Sequence, residues 1–202
     1  MDMSLTDSPT PRTAPREAHG LAAAGNKPVP GFDPELHWHE TLRDGTRVLI
    51  RPIRKEDAAL EREFIERLST VSRGYRFLGQ IKVTDDMIRR LTDIDYDRDM
   101  AFVALRHESG QKIEIGVSRF CIGDDGASCE CAGVVSDEWQ GRGLGHLLMR
   151  HLIEVARQRG IKRMYSIDAV GNKEMRKLAA DLGFERRVGH DNPSEIIYSL
   201  DL

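Results

Sequence analysis

Long hydrophobic runs are missing from this 202-residue chain: nowhere does an apolar stretch approach the roughly 18 residues of a membrane-spanning helix. The N-terminus lacks the hydrophobic core of a secretory signal. Charge of one sign is not in excess, and a formal net charge of −3 gives no reason to expect nucleic acid as a partner. Cysteine is scarce and odd in number. Cys121, Cys129 and Cys131 form no disulfide framework, and Cys-x-Cys lacks both the spacing and the second pair of a zinc site, so no metal is expected. The thiols of Cys129 and Cys131 read as small core residues, and a reducing cytoplasm is the expected home. Two nucleotide signatures are absent as well. The glycine-rich loop ends Gly-Leu-Gly-His where a P-loop needs Gly-Lys-Ser/Thr, and neither register of its glycines completes Gly-x-Gly-x-x-Gly.

What the chain has is that loop. Val134 and Val135 close a short apolar strand, Gln140-Gly141-Arg142-Gly143-Leu144-Gly145 follows, and a strongly periodic helix leaves it. The glycines let the backbone approach a ligand closely. The first N–H groups of the helix, unpaired and at the positive end of its dipole, face back toward the loop. Strand, loop and helix start together read as an anion cradle, most simply for phosphate, with Arg142 adding charge and Gln140 an amide donor.

Residues Met1 to about Phe32 are rich in Pro, Ala, Ser, Thr and Gly without periodicity, and residues 1–34 are expected to be a disordered arm ahead of a single domain at 35–202. Arg43-Asp44-Gly45 is a hairpin turn signal. Thr46 to Ile53 reads as a strand, with Pro52 suggesting an edge or a terminus. Lys55 to Leu68 is helical, with Leu60, Phe64 and Leu68 on one face, and Thr84 caps a helix bearing Met87, Leu91 and Ile94. Between them lie Arg73, Tyr75, Arg76 and Phe77, which fit either an acceptor site or core packing with solvated arginines. Strands are expected at Met100–Leu105, Ile113–Ile122, Cys129–Val135, Lys162–Asp168, Phe184–Val188 and Glu195–Leu200. The helix from Gly143 to Arg159 crosses over between two of them, which makes those two parallel. On that helix Leu144, Leu147, Leu148, Leu152 and Val155 pack on the sheet, leaving His146, Arg150 and His151 at its border or on the surface. Asn172 stands near the start of a last helix that turns Met175, Leu178, Ala179 and Leu182 inward.

Glu130 is a carboxylate inside an apolar run. Alternation sends it to the face opposite Cys129 and Cys131. Apolar surroundings would raise its pKa toward the range of a general base for an incoming amine; an exposed strand end or an arginine partner would leave it structural.

The element order, the Gln-x-x-Gly-x-Gly match at Gln140, Gly143 and Gly145, Asn172 and the Leu182-Gly183-Phe184 ending resemble the GNAT superfamily of N-acetyltransferases. Within it, Leu42-Arg43-Asp44-Gly45-Thr46, Ile50-Arg51-Pro52-Ile53, Ser72-Arg73 through Arg76-Phe77, and Leu91 through Asp97 resemble the catalytic domain of bacterial Pat-type protein lysine acetyltransferases. The resemblance implies an α/β (α+β) fold: a mixed, mostly antiparallel twisted sheet of about six to seven strands with one parallel crossover and helices on both faces. It implies acetyl-CoA as co-substrate, Glu130 as catalytic base, pyrophosphate contacts at Gln140, Gly141, Arg142, Gly143, Leu144 and Gly145, and pantetheine contacts at Val134, Val135 and Asn172. The acceptor it implies is a protein lysine, such as that of an acyl-CoA synthetase. A small amine is the alternative, and a non-catalytic acyl-CoA sensor is the alternative of another class. Where many relatives place a tyrosine to protonate the leaving thiolate this chain has Ala179, which leaves solvent, Tyr165 or Ser166. The fused synthetase-like or cyclic-nucleotide domains of that family find no room in this length, so a stand-alone form is expected.

Overall fold

The computed structural model describes residues 36–108, 110–189 and 192–202, so the arm at 1–34 lies outside them. Eight strands form one sheet in the order β1-β2-β3-β4-β5-β6-β8-β7. They are β1 (Trp38–Thr41), β2 (Arg47–Pro52), β3 (Asp99–Glu108), β4 (Gln111–Ile122), β5 (Ser128–Val135), β6 (Arg163–Ala169), β7 (Glu185–Val188) and β8 (Glu195–Asp201). The helices among the described residues are α1 (Ala58–Arg67), α2 (Thr70–Phe77), α3 (Asp85–Thr92), α4 (Leu144–Gln158) and α5 (Lys173–Asp181). All neighbouring strands are antiparallel except β5 and β6, which α4 joins as a parallel pair.

The sheet has two buried faces. Met100, Phe102 and Ala104 of β3 meet Leu144, Leu148, Leu152 and Ala156 of α4 and Ala179 of α5. Ala101, Val103 and Leu105, one residue out of phase, meet Phe64 and Ile65 of α1 and Ile88 of α3. A strand covered on both sides reads as an unbroken apolar run, as β3 does. Helix starts follow local chemistry. The Ser69 hydroxyl accepts from Ser72 N at 3.1 Å to open α2, Thr84 Oγ1 from Met87 N at 3.2 Å to open α3, and Asn172 Oδ1 from Met175 N at 3.1 Å to open α5.

Two expectations change. The sheet has eight strands, the additional one being β1, which pairs with β2 across the turn at Arg43-Asp44-Gly45. Of the edge or terminus that Pro52 suggests, the terminus holds: Pro52 is the last residue of β2, which lies inside the sheet. The pairing of β1 ends at Trp38 opposite Ile50, so the missing N–H of Pro52 falls beyond the reach of the short strand. His151 is not a surface residue: it is buried, stacks on Trp38 with ring centroids 3.9 Å apart, and shares a 2.7 Å hydrogen bond with Glu40. Burial lowers its pKa, against the opposing pull of Glu40. The partner that buries it is the strand the hydrophobic pattern does not announce.

Candidate active site

Strands β5 and β6 stay together for only three residue pairs, Ser128 with Arg163, Cys129 with Met164 and Glu130 with Tyr165, and then diverge. The fork opens at Cys131, and Gly133, Val134 and Val135 pair only with β4. A cleft of about 600 Å³ fills the fork, lined by β5 from Cys131 to Val135, Ser166 to Asp168 of β6, Tyr75 and Arg76 of α2, Asn172 and the glycine loop.

Register decides which backbone groups face the cleft. Gly123 N donates to Ser128 O at 2.8 Å and Ser136 N to Ile115 O at 3.0 Å. Both bonds belong to one antiparallel register, so even-numbered residues of β5 turn their N–H and C=O groups toward β4. Cys131, Gly133 and Val135 turn theirs toward the fork. Val134, expected as a pantetheine contact, offers only its side chain there, and the free amides next to it are those of Gly133 and Val135.

At the mouth, Gly141 and Gly143 take φ of +74° and +91°, in the left-handed region that a side chain disfavours. Gly143 is the N-cap of α4 and supplies no capping side chain. From Gly141 to His146 no backbone N–H has an acceptor among the described residues. Six consecutive free donors at the positive end of a 15-residue helix have the chemistry to hold an anion. The Leu144 side chain is buried in the core, and Gly145 lies between Leu178 and Val135.

Residues 68–184 match the model of the acetyltransferase (GNAT) family. The chain belongs to that family. It is 48% identical to Acetyltransferase PA5475 of Pseudomonas aeruginosa over 167 residues, 82% of this chain and 90% of that one. It is 29% identical to Acetyltransferase Pat of Mycolicibacterium smegmatis over 143 residues, 70% of this chain but 42% of that protein. The crystal structure of the GNAT domain of S. lividans PAT superposes with a TM-score of 0.74 at 28% identity, covering 82% of this chain and 97% of that one. The chain is thus an N-acetyltransferase with the GNAT fold, resembling the catalytic domain of Pat-type enzymes, and members of the family use acetyl-CoA as co-substrate.

The residues expected to hold that GNAT co-substrate differ in what their side chains do. Arg142 does not face the cleft: Nη1 donates to Asp44 Oδ2 at 2.8 Å and the guanidinium lies 4.5 Å from the centre of the Trp139 ring. The Gln140 amide donates to Ser72 Oγ and to Val135 O, each at 3.1 Å, so its N–H groups tie the loop to α2 and β5. Asn172 lines the cleft, but Nδ2 donates to Asp168 Oδ1 at 2.9 Å and Oδ1 caps α5. Burial raises the pKa of Asp168, against the hydrogen bonds from Asn172 and Ala169. Arg43 was not singled out by the sequence. It lines the cleft with its side chain against Gly143, where Nε would be 3.4 Å from an added Cβ.

Glu130 is the last residue of β5 to pair with β6, so it stands at the root of the fork, on the α1–α3 face. It is exposed, with Cys121 opposite on β4 and Tyr165 on β6, and it is not among the residues that line the cleft. The apolar enclosure suggested by its sequence neighbours is absent, because alternation places Cys129 and Cys131 in the core on the opposite face. Ser166, one residue past the fork on β6, lines the cleft, is 3% exposed, and carries a buried hydroxyl with no partner among the described residues. Tyr75 crosses above: its hydroxyl would lie 3.4 Å from a Cβ at Gly171 in the loop before α5.

One contact set fixes α2 over the cleft. Asp137 accepts from Ser69 N at 2.9 Å, Ser69 Oγ at 2.7 Å and Ser72 Oγ at 2.7 Å. Partial burial pushes the Asp137 carboxyl upward, but these hydrogen bonds outweigh it and hold the pKa below the usual range. No sequence signal pairs these residues, since Ser69 and Asp137 are 68 positions apart.

Proposed function

We propose that this chain transfers the acetyl group of acetyl-CoA to the ε-amine of a lysine in a protein such as an acyl-CoA synthetase. The observation that carries the reading is the run of six unpaired N–H groups from Gly141 to His146 beside the open fork. Those donors fit a pyrophosphate, the fork fits an extended pantetheine arm, and the orphaned Ser166 hydroxyl fits a polar atom brought by the ligand. The bound co-substrate supplies an activated acyl group in thioester linkage.

The remaining chemistry falls to this chain's residues. The N–H groups of Gly133 and Val135 face the fork and can donate to the oxygen on which charge develops. Glu130, directly or through water, takes a proton from the lysine ammonium so that a neutral amine attacks. Ser166 takes the place of the absent tyrosine as hydrogen-bond donor toward the leaving sulfur. Tyr165, like Glu130, stands outside the cleft lining, which favours the water-mediated route for the base and Ser166 for the sulfur. The protein-lysine acceptor is supported by the likeness to Pat across most of the domain.

The test incubates the chain and acetyl-CoA with a purified acyl-CoA synthetase, following thiol release and the mass of the synthetase. A mass gain of one acetyl group on a single lysine, lost with Glu130→Gln, supports the reading. Thiol release with small amines and an unchanged synthetase would replace it by a small-molecule acceptor.

A further inference from the structure

Arg76 sits in the cleft wall on α2, partly buried. Its guanidinium lies 4.9 Å from the centre of the Phe77 ring and, among the described residues, closes no hydrogen bond or ion pair. Burial pulls its pKa down to about 10, nearby Arg119 adds to that, and Glu61 and Glu130 oppose it without reaching ion-pair distance. Among the described residues Arg119 is also outside any ion pair: Nη2 donates to Leu91 O at 2.9 Å and its buried Nε has no acceptor. A guanidinium in a cleft wall without a counter-ion is open to an anionic ligand, and its rigid fork of donors matches a carboxylate with two parallel bonds. The neighbourhood of Glu130 places Arg76 at the root of the fork, whereas the free amides suited to phosphate are at its mouth. The counter-ion that completes the site therefore arrives on a substrate, at the end where acyl group and amine meet.

We propose that Arg76 binds a carboxylate carried by a substrate beside Glu130. The source is either a dicarboxylic acyl group, through its distal carboxylate, or an amine acceptor bearing a carboxylate of its own. This deepens the acyl-CoA reading and rests on it.

Isothermal titration of the full chain with acetyl-CoA and succinyl-CoA separates the first source, and turnover on lysine against lysine amide separates the second. Arg76→Gln removes the charge, and Arg76→Lys keeps it without the fork. A carboxylate on the acyl group makes wild type bind succinyl-CoA about tenfold or more tighter than acetyl-CoA, and the ratio falls toward one in Arg76→Gln. A carboxylate on the acceptor leaves that ratio near one. The KM for lysine is then about tenfold or more below that for lysine amide, a preference lost in Arg76→Gln. Arg76→Lys retains part of whichever preference exists, and it carries the comparison should the glutamine variant fail to fold by circular dichroism. Wild type without either preference, or a folded variant keeping the wild-type ratio, overturns the assignment of Arg76. If no CoA ester binds wild type at all, the acyl-CoA reading fails first, and this proposal with it.

Discussion

Replacing Glu114 by glutamine should make the protein more stable at neutral pH. Glu114 lies on β4 opposite Leu105, fully buried beside the Glu61 carboxyl, and among the described residues no N–H or hydroxyl donates to either of its carboxyl oxygens. Burial first, and then the adjacent Glu61 carboxylate, push its pKa well above the usual value of 4.5. The sign follows from linkage. An acid with a raised native pKa binds its proton more tightly in the folded chain, so its protonation favours folding below the native pKa, and stability falls as pH climbs from the unfolded value. Each pH unit over which the native chain holds that proton and the unfolded chain does not costs about 1.4 kcal/mol relative to acid conditions. Glutamine has nothing to ionise, keeps the shape, and can donate to Glu61, whose buried Oε2 has no partner. The wild-type unfolding free energy from urea titrations should decline between about pH 4.5 and pH 7.5 more steeply than that of Glu114→Gln, with the variant ahead by about 1–3 kcal/mol at the upper end. Parallel curves, or a variant less stable at pH 7.5 than at pH 4.5 by as much as wild type, would show that Glu114 does not carry the proton.

Four further outcomes bear on the site. Glu130→Gln should lower turnover by about 10²–10⁴-fold with acetyl-CoA affinity retained by titration; full activity at neutral pH would remove Glu130 from proton transfer. Gly143→Trp combines a φ of +91° with a side chain driven against Arg43, and should abolish acetyl-CoA binding in a chain that still gives a cooperative thermal transition. Ser166→Ala removes an orphaned buried hydroxyl, so stability should hold or rise by about 1 kcal/mol while turnover falls, a split that a purely structural role would not give. Asp137 has a depressed pKa, so its contribution is present above the unfolded value near 3.8 and is lost as pH falls through the lower native value. Asp137→Asn should flatten that acid limb and raise KM for acetyl-CoA by loosening α2.

Most of the fold is legible in the sequence because it is local. Leu144, Leu148, Leu152 and Val155 repeat at helical spacing, and Gly160, with φ of +76°, ends that helix where expected. β1 is only half legible: the turn at Arg43-Asp44-Gly45 announces a hairpin, but His-Trp-His-Glu carries no apolar alternation of its own, and Trp38 and Glu40 are held by His151, over a hundred positions away. The position of Glu130 follows from strand pattern and family likeness, but its exposure does not. Whether the rest of the sheet covers a strand face is a tertiary matter. Nor does the sequence reveal that Val135 and Gly133, rather than Val134, free their amides. That parity is set by the β4–β5 register, which two hydrogen bonds at opposite ends of the pairing fix.

The charged and polar side chains of the loop resemble ligand contacts in sequence, yet in the fold they bind the protein to itself. Arg142 is held by Asp44, Arg43 N donates to Arg142 O at 3.2 Å, and Trp139 lies between Arg106 and Arg142 at 4.8 and 4.5 Å. Gln140 and Asp137 fasten the same loop to Ser72 on α2. An arginine reaching freely into the cleft would lose rotamer entropy on meeting phosphate, whereas amides already aimed by a rigid loop lose little. The first half of the domain, which contributes few atoms near the free amides, therefore governs how well they are aimed. On this reasoning, loop glycines decide whether a diphosphate fits, and the residues at 44, 72 and 137 decide how much ordering remains to be done when it binds.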